Sequence, residues 1–386
     1  VTTFRLDGLS TRPAQTWGTF RLVPLVRDEP VPHLRLHRKA YGDKPTVVDV
    51  GDGSAYTSYY IPHAFVATWE ADGPAASYGT RLLDKDTAGQ APPRVPIRVT
   101  RRMARRVDRT RLRFLPLHLA VEGYLALHFG GPEIVWEEYS RRAVSQGLSP
   151  RSEETYFGAQ VRGLDDALRI FEIHPGQCGV LVYVADALAC AFVVPHPDDY
   201  RALHATLVED LFGELIYQYA LLSLPAPPFP VRIDDTRVRS PADLRAQVAL
   251  RRREWADFHD GAMAAGLFDE DSVYQPVQGL NGFRLTRFLP SFTPRRENHI
   301  GEAITDDDAR VAYLKTFRLS ESQIRRGYLL TRLAAHDWNL PATAAALGVE
   351  EAAFALRLER AGFGSLLRQD VLDRYRAVLK SPGRVL

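Results

Sequence analysis

The sequence predicts an α+β protein: a mixed or antiparallel sheet domain with packed helices, followed by an all-helical C-terminal module. Three observations carry this expectation. Short runs rich in β-branched and aromatic residues fill residues 16 to 70, among them TFRLVPLV, HLRLHRKA, TVVDVG and SYYIPHAFVATW. Two apolar runs in PGQCGVLVYVADALACAFVVP, residues 175–195, face each other across Ala185 and Asp186 as hairpin strands. After residue 319 the periodicity is helical, and cap residues punctuate it.

Length and composition set the frame for these elements. A chain of 386 residues has material for a large core and for two or three domains. With 45% hydrophobic and 25% charged residues it reads as globular. No apolar run approaches the roughly 18 residues of a membrane span, and the start VTTFRLDGLSTRPAQTW lacks the apolar core of a signal peptide, so no membrane contact and a cytoplasmic location are expected. Two cysteines, Cys178 and Cys190, are too few for a disulfide framework, sit in apolar runs and are expected as buried free thiols. The net charge of +2 provides no global field toward a polyanion. Five of the 49 basic residues are lysine, which leaves 44 arginines, so an arginine cluster is in part a compositional background.

The expected organisation runs 1–223 for the α+β domain, 224–318 for a connecting module of mixed helix and loop, and 319–386 for the helical module. Within the first part, ADGPAASYGTRLLDKDTAGQAPPR (71–94) reads as a long surface loop. RVPIRVTRRMARRVDRTRLR (94–113) follows, with nine arginines and one aspartate. Arg101, Arg102, Arg105, Arg106, Arg109, Arg111 and Arg113 are candidate contacts to an anion or a nucleic acid, since guanidinium forks bind oxyanions in pairs. The alternative is a solvated or lid-like segment paired with local carboxylates. Helices are expected at EIVWEEYSRRAVSQGL and AQVRGLDDALRIF. A third is expected after the hairpin, where Leu203, Leu207, Leu211, Leu215 and Tyr219 recur every four residues. LPAPPFP (224–230) ends that helix and marks a boundary, and DLRAQVALRRREWADFHDGAMAAG is a charged helix beyond it.

At the C-terminal end, SESQ (320–323) is a capping box that opens a helix through Ala334. Asn339 caps a short helix with Pro341 in its first turn, Gly348 turns the chain, and a third helix closes at Gly362. The run Asn339, Ala344, Ala345, Leu347, Gly348, Val349, Phe354, Leu358 and Gly362 resembles the Fis-type helix-turn-helix without a gap. That resemblance implies three packed helices with the third as recognition helix. DNA-binding members carry Ser or Asn, Arg and Thr just after the turn, where donors meet the major groove. This chain presents Glu350, Glu351 and Ala353 there, and Arg357 and Arg360 only a turn or more later. Two carboxylates suit the positive helix N-terminus and repel phosphate, so the scaffold is expected to serve packing or protein contact.

Chemistry-bearing motifs are incomplete. PHPDDY (195–200) is similar to the metal-binding motif of zinc-dependent N-deacetylases, which would make His196, Asp198 and Asp199 ligands. Its sixth residue is tyrosine, and no His-x-Asp-His supplies the remaining ligand. The plainer reading is a helix N-terminus, with Pro197 and two aspartates in the first turn. VDVGDGSAY (48–56) matches neither a calcium loop nor a P-loop, and no GxGxxG or GxSxG occurs. His118 and His128 flank Glu122 in apolar segments, as core histidines do.

The order of the pieces, TWGTFRLVPLV, RTRLRFLPLHLAVEG, the 175–195 hairpin with its helix and the Fis-like end, resembles the bacterial family of ARG and Rhodanese-Phosphatase-superfamily-associated proteins over residues 10–223 and 310–375. The family name implies genetic company with ADP-ribosylglycohydrolases and phosphatase-like proteins and carries over no catalytic residue. The expected function is a non-enzymatic regulatory or scaffold protein, with no cofactor, whose α+β domain binds a partner or nucleotide-like ligand and whose helix-turn-helix contacts protein. A DNA- or RNA-binding regulator using segment 94–113 is one alternative. A cryptic hydrolase of a nucleotide or ADP-ribose-like substrate, built from residues distant in sequence, is the other.

Overall fold

The computed structural model describes residues 7–36, 171–185, 187–207, 232–258, 272–364, 367 and 369–380. It also describes strand segments at 56–59, 66–70, 73–77, 80–83, 94–96, 105–106 and 111–113. Its strands, in chain order, are β1 Leu9–Thr11, β2 Gln15–Trp17, β3 Phe20–Arg27, β4 Leu34–Leu36, β5 Tyr56–Tyr59, β6 Val66–Glu70, β7 Gly73–Ser77, β8 Arg81–Leu83, β9 Arg94–Pro96, β10 Arg105–Arg106, β11 Arg111–Arg113, β12 Gln177–Val184, β13 Ala187–Val193, β14 Val273–Leu280, β15 Phe283–Leu289, β16 His299–Thr305 and β17 Val311–Arg318. The helices are α1 Pro197–Thr206, α2 Pro241–Phe258, α3 Glu321–Ala334, α4 Leu340–Ala346, α5 Glu351–Leu358 and α6 Gln369–Lys380. The fold class is α+β.

One nine-stranded sheet organises the chain, in the order β1-β3-β12-β13-β17-β16-β15-β14, with β2 also on β3. Every pairing within it is antiparallel. Its central strands are apolar on both faces because both faces are covered. Val180, Val182, Cys190 and Phe192 point to one side, where Phe20, Leu22, Ile300, Ile304 and Phe317 join them beneath Tyr200 and Leu203 of α1. Leu181, Tyr183, Ala191 and Val193 point to the other, with Val23, Leu25 and Leu314, and Trp255 of α2 closes that core.

The β12–β13 hairpin turns at Ala185, which takes a left-handed φ of 54°. A bulge between Val182 and Tyr183 shifts the register, so Cys190 lies opposite Val182, one residue from the Leu181 that an unbroken hairpin gives. Both cysteines are free and buried, and burial pushes the Cys178 thiol up to about 11.

Two sequence expectations are corrected here. Residues 273–318, read as loops and short extended pieces of a connecting module, supply four strands of the main sheet. Their alternation was obscured because β16 and β17 are buried on both faces and carry Glu302 and Lys315 inside. Segment 71–94, read as a surface loop, contains β7, which pairs with β6 in a five-stranded sheet (β10-β11-β6-β7-β9), and β8, which pairs with β5 in a three-stranded one (β4-β5-β8). Its small residues and three- to five-residue strands give too few periods to register as a pattern. The helix expected at 133–148, residues 159–170 of the helix expected at 159–171, the VDVGDGSAY run before Tyr56, and His118, Glu122 and His128 lie outside the described residues, while Phe171 is described and is not helical.

Polar staples fix the small three-stranded sheet on the main body. Arg35 of β4 grips the buried Asp199 of α1, with Nη2 to Oδ1 at 2.8 Å and Nε to Oδ2 at 3.0 Å. Beside β8, Thr80 donates to the Tyr313 hydroxyl at 3.2 Å. Gln278 of β14 brackets Leu82 by accepting from its N–H (3.1 Å) and donating to its carbonyl (2.8 Å).

Gly301 shows how tightly β16 is packed. A Cβ there would sit 2.0 Å from the Lys315 carbonyl oxygen and 2.8 Å from the Phe288 ring. Since the backbone atom cannot swing aside, Gly301→Ala is expected to destabilise the protein by about 1–3 kcal/mol, read as a lower urea midpoint.

In the C-terminal part, Ser320 and Gln323 form the expected capping box, Asn339 caps α4, and Gly348 (φ 64°) and Gly362 (φ 94°) take left-handed conformations. The helices surround Leu330, Leu333, Ala344, Phe354, Leu358 and Phe363. Among the described residues no helix is long and apolar enough to cross a membrane.

Candidate functional site

On the face covered by α2, a cavity of about 320 Å³ opens between that helix and the β1–β2–β3 edge of the sheet. Its charged lining is four arginines. Arg12 and Arg21 come from the sheet edge, Arg251 and Arg252 from α2, and no carboxylate is among the described residues that line it. Pro13, Ala14, Val248 and Trp255 form the apolar wall.

The sequence positions these groups through local rules. β2 and β3 form a hairpin pairing Thr16 with Arg21, so Arg21 sits in a strand interior, only 4% exposed. On the helix side, Ser240 Oγ accepts from the Asp243 N–H at 3.2 Å, while Asp243 Oδ2 accepts from the Ser240 hydroxyl at 2.9 Å and the Arg239 N–H at 3.1 Å. This reciprocal cap starts α2 at Pro241, a residue suited to a first turn. From there Val248, Arg251, Arg252 and Trp255 fall at three- and four-residue spacings, on one face. Trp255 is the single buried residue of an 18-residue helix.

The electrostatics of the cavity favour an anion. Arg251 Nη1 pairs with Glu254 at 2.6 Å, but its Nε is buried without a hydrogen-bond partner among the described residues. Asp234 lies close enough to feel Arg251. Its carboxyl is held below the usual range, first by the Thr236 hydroxyl and N–H it accepts from and then by nearby arginines. No motif signalled this site in sequence. The spacing of Val248, Arg251, Arg252 and Trp255 was visible, but Arg12 and Arg21 join it only through sheet pairing.

The residues singled out from sequence are dispersed. Arg105, Arg106, Arg111 and Arg113 lie on β10 and β11, where Arg105 is directly opposite Arg113, while Arg101, Arg102 and Arg109 lie outside the described residues. His196 caps α1, accepting the Asp198 N–H at its Nδ1 (3.1 Å), and Pro197 occupies the first turn. Burial and the neighbouring Arg35 lower the His196 pKa. Asp198 is exposed and pairs with Arg201, its Oδ2 also 3.5 Å from His196 Nδ1, while Asp199 belongs to Arg35. Among the described residues no cluster of three or more His, Cys, Asp or Glu is arranged to hold a metal ion.

At α5 the carboxylates have different roles. Glu350 is the N-cap residue, exposed and without a side-chain cap bond. Glu351 accepts from the Tyr375 hydroxyl of α6, and Glu359, just beyond α5, pairs with Arg376 of α6. Ala353 is half-buried, and Arg357 and Arg360 are exposed. Thus α6 is fastened along the helix whose first turn carries the two glutamates, a contact that the sequence comparison with helix-turn-helix proteins did not suggest.

A second polar feature lies inside the main sheet, where Arg287, Glu302 and Lys315 occupy directly opposed positions on β15, β16 and β17. Glu302 is fully buried, with Arg287 Nε 3.5 Å from Oε1. Desolvation raises its carboxyl pKa against the opposing effects of Arg287 and Thr80. Burial pushes the Lys315 amine down to about 7.

No curated protein and no solved structure matches this chain. A family model, ARPP-2, matches residues 4–281. The match takes in β1 through β14 with α1 and α2, and therefore the whole arginine-lined cavity. It runs beyond the expected boundary at residue 223 and ends before β15 and the C-terminal helices. Covering well over half of the chain, it places this protein in the ARPP-2 family.

Proposed function

We propose that this is a non-enzymatic binding protein with a regulatory or scaffolding role, whose α+β domain holds an anionic, nucleotide-like ligand between α2 and the sheet edge. The observation that carries this reading is the convergence of Arg12, Arg21, Arg251 and Arg252 on one cavity with an apolar, tryptophan-bearing wall. Paired guanidiniums favour phosphate oxygens, and an aromatic wall favours a flat organic group. In this reading α3 to α6 form a degenerate helix-turn-helix module that contacts protein, since the first turn of α5 offers Glu350 to the surface and gives Glu351 to α6.

Calorimetric titration of the full chain with AMP, ATP and ADP-ribose at low salt tests the reading. At least one is expected to bind. Arg251→Gln with Arg252→Gln is expected to weaken that binding by about tenfold or more, since a lost charge-assisted hydrogen bond costs about 1.5–3 kcal/mol. If none of the three binds, the reading is wrong.

A nucleic-acid-binding reading draws support from the backbone register of β10 and β11, which sets Arg105 opposite Arg113 and so brings residues of the basic run onto neighbouring strands. It requires duplex or single-stranded nucleic acid to bind with steep salt dependence. Binding that is absent at low salt excludes it.

A further inference from the structure

Resting on that ligand-binding reading, we propose that the cavity takes a phosphate monoester of mononucleotide size and that this ligand clamps α2 onto the sheet. Size is the first argument. At about 320 Å³ the cavity stands at the lower end of small-ligand pockets, about 300–1,000 Å³, which suits one nucleoside unit with its phosphate.

Charge is the second argument. Four guanidiniums drawn from two elements line the cavity with no carboxylate among its described lining residues, although Arg251 also pairs with Glu254, and a phosphate monoester brings a charge between −1.5 and −2 and three acceptor oxygens. Val248 and Trp255 then offer the flat group an apolar wall on the same helix.

The clamp follows from how α2 is attached. Trp255 is its single buried residue, and Leu244 and Phe258 toward its two ends are exposed. Arg12 on the sheet side and Arg252 on α2 place like charges on the two walls of the cavity. A dianion bridging the two walls offsets that repulsion and fills the space beneath the helix. Ligand binding and docking of α2 are thereby linked, and the ligand stabilises the docked helix by mass action.

Hydrogen exchange of the full chain, followed on peptides covering residues 241–258 with AMP, adenosine, inorganic phosphate or ADP-ribose, tests the clamp alongside calorimetry. AMP at ten times its Kd is expected to slow exchange of α2 about tenfold. Adenosine is expected to leave exchange unchanged, phosphate to act only at much higher concentration, and Arg252→Gln to lift the AMP protection. AMP binding that leaves exchange of α2 unchanged overturns the clamp but keeps the ligand-binding reading. Tighter binding of ADP-ribose than of AMP, or phosphate as effective as AMP, overturns the mononucleotide assignment and again keeps that reading. Failure of AMP, ATP and ADP-ribose alike removes both.

Discussion

Asp199→Ala is expected to lower the unfolding free energy by about 3–5 kcal/mol, the cost of stripping a buried ion pair of one partner. The Asp199 side chain is fully buried and that of Arg35 is 11% exposed. Removing the carboxylate leaves a largely buried guanidinium with its bidentate bonds lost. The pair joins α1 to β4, so the loss falls where the small sheet meets the main body. Equilibrium urea unfolding of Asp199→Ala, Arg35→Met and the double variant Arg35→Met, Asp199→Leu separates pair from packing. The double variant is expected to recover most of the loss, because replacing both charges with apolar groups of similar volume is close to neutral. Equal destabilisation in the double variant and in Asp199→Ala would show that shape matters there more than charge.

Lys315 gives the second large effect. Its amine titrates at about 7 in the folded protein, against 10.5 for an ordinary lysine, with desolvation as the cause. Below pH 7 both folded and unfolded chains carry the proton, and the folded state bears the full cost of a buried ammonium. Between pH 7 and 10.5 the unfolded chain holds more protons, so stability rises with pH, by about 1.4 kcal/mol per unit inside the window. Lys315→Met is expected to abolish that rise and to stabilise the protein at pH 7 by a few kcal/mol, a gain that shrinks toward pH 10. Glu302, directly opposite, contributes on the acid side. Its carboxyl is raised, so the folded state keeps a proton above pH 4.5 and this contribution falls as pH rises. That slope lies on the acid side of the Lys315 window, so the comparison of the two proteins is read from pH 7 upward. Unfolding midpoints of the two proteins that stay parallel from pH 7 to 10 would refute the assignment to Lys315.

The parts of the fold legible in the sequence are those specified locally. Ser320 with Gln323, Asn339 with Pro341, and Gly348 and Gly362 mark the helical ends through groups within four residues of each other, and the structure places each where the local rules require. The β12–β13 hairpin was readable for the same reason, apart from the bulge that moved Cys190 by one position. What stayed hidden lacked a local pattern or a local partner. Residues 273–318 read as a connector although β14 to β17 pair with their neighbours in the chain, because β16 and β17 are buried on both faces and show no alternation; only the join of β17 to β13 spans more than a hundred residues. The cavity arginines were invisible as a group, since Arg12 and Arg251 meet only when the edge of the sheet and α2 do. The arginine-dense segment 94–113 supplied the candidate anion contacts by its composition, whereas the arginines that converge in the described structure come from separate stretches, Arg12 and Arg21 in and beside the first strands and Arg251 and Arg252 in an arginine triplet of α2.

The sheet order also governs how the chain can be divided. β13 is hydrogen-bonded to β17, so a fragment ending at residue 223 would carry β13 as a naked edge, its backbone donors and acceptors free to recruit another chain. A fragment ending with the family match at residue 281 would fare no better, since it would retain β14 but lose β15, the strand that pairs with it, and β17. Closing the sheet must wait for residue 318, and the wide sequence separation between its paired strands makes for slow folding. During synthesis the first half of the sheet therefore stands open until the C-terminal third has been made, an interval in which a chaperone has an apolar edge to shield.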